Sequence, residues 1–174
     1  MSSLFTIWIT GPSGVGKTTL ARALEKKLKE MGLKTEVLDG DEIRRKVYPN
    51  LGFNKEAREM HNRVVIYMAK LLLKNHIIPI VALISPYKSI RERARKELGN
   101  FVEVYLRCSL EERIKRDPKG LYLKALKGEL NNLTGFDGVY EEPENPEIIL
   151  ETDKIDVDKE VEIVIEKIKK LGFL

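Results

Sequence analysis

Gly11-Pro12-Ser13-Gly14-Val15-Gly16-Lys17-Thr18 fits the pattern G-x-x-x-x-G-K-[ST], and the residues on either side decide how it can fold. Before it, Leu4 to Thr10 is a short apolar run of β-favouring residues; after it, Leu20, Leu24, Leu28 and Met31 recur at helical spacing. Strand, glycine-rich loop and helix in that order predict a cradle in which backbone N–H groups turn inward and the helix dipole points at an anion. In such a cradle Lys17 reaches the β- and γ-phosphates of a nucleoside triphosphate, ATP in this reading, and the Thr18 hydroxyl ligates Mg²⁺.

The rest of the chain follows the alternation that this opening begins. Apolar runs recur at Leu4 to Thr10, Thr35 to Leu38, Ile77 to Ile84, Phe101 to Leu106 and Glu147 to Leu150, with helix-like stretches between them. This predicts an α/β phosphate-loop NTPase fold: a five-stranded parallel sheet flanked by helices on both faces. The longest helix is expected from about Asn54 to Asn75, Ser109 and Glu112 form a capping box, and Asp158 opens a last helix that ends at Gly172. Two stretches break the rhythm, Lys115 to Gly128 and Asn131 to Pro146. Both are assigned to a mobile lid over the nucleotide.

At 174 residues, with 33% charged and 43% hydrophobic residues, the chain suits one globular domain over residues 1–174. Its net charge of +4 is interleaved along the helices and forms no basic arm, so small polyanions account for it as well as nucleic acid would; no nucleic-acid partner is expected. No charged leader or long apolar span is seen, so the protein is expected in the cytoplasm with no membrane partner. Cys108 has no partner for a disulfide and reads as a packing residue at a strand end.

In an open parallel sheet ligands gather beyond the carboxyl ends of the strands. The second strand ends in Asp39-Gly40-Asp41, whose carboxylates would project to one side of an extended segment and orient Mg²⁺ waters or accept a proton from an attacking hydroxyl. Asp41 also reads as the N-cap of the helix that follows it. The third strand ends in Ser85, not in the metal-linked Asp of many phosphate-loop enzymes, and no Asn-Lys-x-Asp run selects guanine. Both features argue against a motor ATPase or a GTPase.

Six stretches in order, Gly11 to Thr19, Leu38 to Asp41 with Arg44, Leu51 to Phe53, Leu83 to Tyr87, Arg116 to Tyr122 and Thr134 to Asp137, resemble the adenylylsulfate kinases across nearly the whole chain. The resemblance implies transfer of the ATP γ-phosphoryl group to the ribose 3′-hydroxyl of adenylyl sulfate, with Mg²⁺, as a step of sulfate assimilation, and it implies a homodimer. It makes Lys17, Asp39, Asp41 and Ser85 catalytic, Ser85 matching the family's phosphoserine, although a Ser-Pro turn closing the strand explains it as well. Gly11, Pro12, Ser13, Gly14, Val15, Gly16, Lys17, Thr18, Thr19 and Arg116 would bind the nucleotide. Phe53 matches an aromatic platform for the substrate adenine, and Arg44 and Arg58 match arginines for phosphate and sulfate oxygens, with Arg63 in the same region. Asp39, Ile84, Ser85 and Lys119 complete the acceptor site, Lys119 and Arg116 closing on phosphates from the lid.

Two positions depart from the family. His61 stands where Asn is common, and Leu133 where a second aromatic platform precedes Thr-Gly. Either the acceptor binds less tightly or Phe136 turns in to replace the ring. Two other readings stay open: a kinase for another small hydroxyl acceptor, and an ATP-binding regulatory module without acceptor chemistry.

Overall fold

The computed structural model describes residues 4–174; Met1 to Ser3, the first three positions of the expected domain, lie outside the described residues. The chain runs through β1 (Thr6–Thr10), α1 (Lys17–Glu30), β2 (Thr35–Asp39), α2 (Gly40–Val47), α3 (Lys55–Lys74) and β3 (Ile78–Ala82). It continues through α4 (Lys88–Leu98), β4 (Phe101–Arg107), α5 (Leu110–Arg116), α6 (Leu121–Leu126), β5 (Ile148–Glu151) and α7 (Val157–Lys170). The five strands form one parallel sheet in the order β2-β3-β1-β4-β5.

Side-chain alternation along the strands divides the core into two layers. Ile7 and Ile9 point to the side where Leu20, Leu24 and Leu28 of α1 pack with Val164 and Ile168 of α7. Trp8 points to the other side, against Val65, Ile66 and Ala69 of α3 and Ala94 of α4. Every residue of β1 and β3 is buried, which is why these strands read as continuous apolar runs. Cys108 packs, partly buried, against the first layer.

The connections leaving β1 and β3 separate above these neighbouring strands, since α1 lies on one face and α4 on the other. That divergence opens a crevice at their carboxyl ends. The register brings Ile9, Ala82 and Asp39 level across β1, β3 and β2, so the phosphate loop and the end of β2 face the same opening.

Several local expectations are corrected. The third strand begins at Ile78, because Ile77 N–H closes the end of α3 on Leu72 O, and it ends at Ala82. Ser85 has φ 41°, which turns the chain out of the sheet before Pro86. The last helix is capped by Asp156, whose carboxylate takes Lys159 N–H at 2.9 Å, and Asp158 lies inside its first turn. α3 occupies its expected span, capped by Asn54, and Ser109 caps α5 as expected. Lys115 to Gly128 is two short helices broken at Asp117–Gly120.

Candidate active site

The loop between β1 and α1 is shaped by its glycines. Gly16 closes it as the N-cap of α1 with φ 97°, a conformation that a Cβ would strain. Lys17 folds back over the loop and donates to Gly11 O at 2.9 Å and Pro12 O at 2.7 Å. Lys17 is half-buried, and desolvation brings its pKa down to about 7. Asp41 opposes the shift, while Lys119 adds to it.

The acidic pair is not extended as expected. Asp39, not Asp41, caps α2: its Oδ1 accepts the N–H groups of Asp41 and Glu42, both at 3.0 Å. Its Oδ2 accepts the Thr18 hydroxyl at 2.6 Å. Asp41 therefore stands in the first turn of the helix, exposed at the opening, in an ion pair with Lys119. Partial desolvation resists ionisation of Asp41, but the hydrogen bond and charge of Lys119 outweigh it and hold the carboxyl below its ordinary range. A Cβ at Gly40, between the two acids, would push the Leu83 methyl aside and crowd the Ala82 carbonyl.

Two lobes open from this point. One, of about 460 Å³, is lined by Gly16, Lys17, Thr18, Asp39, Asp41 and Lys119. The other, of about 410 Å³, is lined by Asp41, Arg44, Phe53, Arg58, Lys119 and Leu133. Ile84 borders both. Phe53 is 55% exposed and is met by the Arg44 guanidinium 4.5 Å from its ring centre and that of Arg58 at 5.7 Å. Arg44 is held by Leu51 O and Gly52 O, and Arg58 by Phe53 O and Asn132 O. His61 is buried, its Nδ1 hydrogen-bonded to the Tyr48 hydroxyl; burial, with Arg44 nearby, pushes its pKa down to about 4, so the ring is neutral.

The remaining expected residues are placed at varying distances from the crevice. The Ser85 hydroxyl is buried and turned into the sheet, accepting from Trp8 Nε1 and donating to Thr10 Oγ1, both at 3.0 Å. Its proton and one lone pair are taken up in these bonds, although the residue borders a small recess beside Thr18 and Phe53. Arg116 belongs to α5, not to the turn that follows, and is tied to Thr152 Oγ1 and Thr152 O. It borders a third cavity of about 450 Å³ beside the phosphate loop, with Gly14, Gly16, Thr19 and Glu160, on the side expected to hold the nucleotide. Arg63 is exposed and borders none of these cavities. Phe136 packs edge-on against Tyr122 with 6.2 Å between ring centres, so it does not take the place of the ring missing at Leu133.

The two covering segments are fastened at points that sequence reasoning missed. Tyr122 donates to Ser13 O at 2.7 Å, Arg113 bonds Tyr122 and Gly135 O, and Tyr140 meets Thr10 at 2.9 Å. Asp137 folds the second segment by accepting from Asn132 N and Leu133 N. Tyr122 falls in the Asp-Pro-Lys-Gly-Leu-Tyr stretch, which was its available signal; Arg113 and Tyr140 carried none.

A family model described as adenylylsulphate kinase matches residues 3–151. The chain belongs to the adenylylsulphate kinase family. A probable adenylyl-sulfate kinase of Pyrococcus abyssi is 68% identical over 170 residues, covering 98% of both chains. The structure of an APS kinase of Mycobacterium tuberculosis in complex with AMPPNP and APS is 36% identical, with a TM-score of 0.91 over 97% of this chain and 99% of that one. A hexameric APS kinase from Thiobacillus denitrificans, 33% identical, has a TM-score of 0.74 over 99% of this chain and 30% of that one. The α/β phosphate-loop fold expected from the strand and loop pattern is thus the family's fold. No helix among the described residues is long and apolar enough to cross a membrane.

Proposed function

We propose that this protein is an adenylyl-sulfate kinase that transfers the ATP γ-phosphoryl group to the 3′-hydroxyl of adenylyl sulfate, giving 3′-phosphoadenylyl sulfate and ADP. The observation that carries this reading is the place of Asp41. It borders both the lobe beside Lys17 and the lobe beside Phe53, Arg44 and Arg58, where a terminal phosphate and an acceptor hydroxyl would meet.

Each residue then has a task. The loop amides and Lys17 bind the β- and γ-phosphates, Lys17 leaving the carbonyls of Gly11 and Pro12 to do so. Phe53 supports the acceptor's base, and Arg44 and Arg58, fixed by carbonyls, present N–H groups to its phosphate and sulfate oxygens. Asp41 orients the 3′-hydroxyl and takes its proton. A weakly basic carboxylate suffices, because the transferred group passes through a loose transition state that asks little of the base. Lys119, released from Asp41, turns to the phosphates, and the covering segments act as a lid that excludes water. Ser85 holds the wall of the crevice and takes no part in the chemistry.

Mg²⁺ fits the donors present: the Thr18 hydroxyl and the Asp39 carboxylate stand together as hard oxygen ligands at the mouth of the loop. Thr18 would hold the ion and Asp39 would orient its waters. When bound, the ion neutralises charge on the β- and γ-oxygens.

The single domain is expected to act in the cytoplasm, where ATP is made and held. We also expect pairing of two copies, supported by Met60, Tyr67 and Leu71, which recur on one face of α3 and are 45, 62 and 41% exposed. Mixing the protein with Mg-ATP and measuring ADP release with and without adenylyl sulfate tests the activity. Release that depends on the acceptor is expected, and release indifferent to it would favour a regulatory ATP site instead.

A further inference from the structure

Behind Phe53 a recess of about 60 Å³ opens, bordered by Gly40, Arg58, His61, Asn62, Leu83 and Pro86. It has room for a water molecule or an amino group but not for a ring. Asn62 is only 2% exposed. Its Nδ2 donates to Arg58 O at 2.7 Å, one helical turn back, while its Oδ1 is buried without a hydrogen-bond partner among the described residues. Native interiors seldom leave such an oxygen unpaired, because its desolvation is then uncompensated.

No neighbouring donor is turned to it. The His61 ring is committed to the Tyr48 hydroxyl and the Gly40 backbone, Leu83 and Pro86 present carbon, and neither the Arg58 N–H groups left over from Phe53 O and Asn132 O nor Lys17, Thr18 and Ser85, which also border the recess, bond to Oδ1. The amide cannot turn over either. A flip would set Oδ1 against the Arg58 carbonyl oxygen at the distance Nδ2 now occupies, acceptor against acceptor. The group Asn62 has left unpaired is therefore the acceptor Oδ1, and Arg58 and Asn62, four residues apart, share the face of α3 that borders the recess, with Arg58 reaching on into the acceptor lobe.

We infer that Asn62 is a specificity-determining residue of the acceptor site, its Oδ1 taking a hydrogen bond from the exocyclic amino group of the acceptor's purine. The inference rests on adenylyl sulfate being the acceptor. A 6-oxo purine presents an acceptor at the same edge and meets two facing oxygens, and sites built to pair an N–H discriminate strongly against partners that lack it.

The test is a steady-state comparison of adenylyl sulfate with inosinyl sulfate for the natural chain and for Asn62→Leu. The natural chain should favour adenylyl sulfate by about tenfold or more in kcat/KM. Asn62→Leu should bring the ratio near unity, through a higher KM for adenylyl sulfate, with the KM for ATP unchanged. A natural chain that takes both acceptors equally overturns the inference without any variant, and so does an Asn62→Leu protein that keeps the full preference, which would leave Oδ1 to a structural water. No turnover with either acceptor overturns the proposed activity and this inference with it; turnover without discrimination overturns the inference alone.

Discussion

Thr18 donates a 2.6 Å hydrogen bond to Asp39 Oδ2 while the other oxygen of that carboxylate caps α2. One side chain thus joins the phosphate loop to the helix carrying Asp41. Asp39→Asn keeps an oxygen for the cap but loses the charge beside Thr18, so the fold should hold while the Mg²⁺ concentration for half-maximal activity rises. Asp39→Ala loses the cap as well, costing about 1 kcal/mol. Magnesium titrations and thermal melts of the two variants check this; equal melting temperatures would show that the cap adds nothing.

Lys17 is desolvated, which brings its pKa down to about 7. At pH 8 it is mostly neutral, and phosphates bound beside it restore the charge, so binding ATP should take up close to one proton at pH 8 and much less at pH 6. Affinity should fall as pH rises above 7. Titration calorimetry in two buffers of different ionisation enthalpy reads the proton directly, and Lys17→Met should abolish it. A buffer-independent heat at pH 8 would contradict the assignment.

His61 is buried neutral with a pKa of about 4 against an ordinary 6.5. Because the unfolded chain binds this proton and the folded chain does not, stability is complete above pH 6.5 and is lost as pH falls through 4, by up to about 3 kcal/mol. His61→Asn should flatten urea midpoints between pH 6.5 and 5. An unchanged slope would mean that the ring is not held neutral.

Ser85 both accepts from Trp8 and donates to Thr10. Ser85→Ala leaves the buried Trp8 N–H without its acceptor, while Thr10 keeps Ile84 O and Tyr140, and should destabilise the protein by about 1–3 kcal/mol. Turnover at saturating substrates should stay within a few-fold, and no phosphate should be found on the residue. Loss of kcat by orders of magnitude with normal melting would restore Ser85 to the chemistry.

The phosphate loop and the buried strands were legible because glycine and apolar runs act locally, and Gly16 or Ile7 to Ile9 need no distant partner to declare themselves. What could not be read depended on contacts far apart in sequence. Ser85 faces inward because Trp8 and Thr10, more than seventy residues earlier, receive it. Asp39 takes the cap from Asp41 because β2 stays extended to its last residue. Phe136 is claimed by Tyr122. The unpaired Asn62 oxygen is a product of packing, so no motif could announce it.

The account's central claim is a phosphoryl transfer across Asp41 from the loop side to the Phe53 side. Its most direct measurement is mass spectrometry of the nucleotides after incubation with Mg-ATP and adenylyl sulfate, repeated with Asp41→Asn. The natural chain should yield ADP and 3′-phosphoadenylyl sulfate in equal amounts, and the variant roughly 10²–10⁴-fold less of both with ATP binding retained. Equal yields from the variant, or ADP formed without a phosphorylated acceptor, would contradict it.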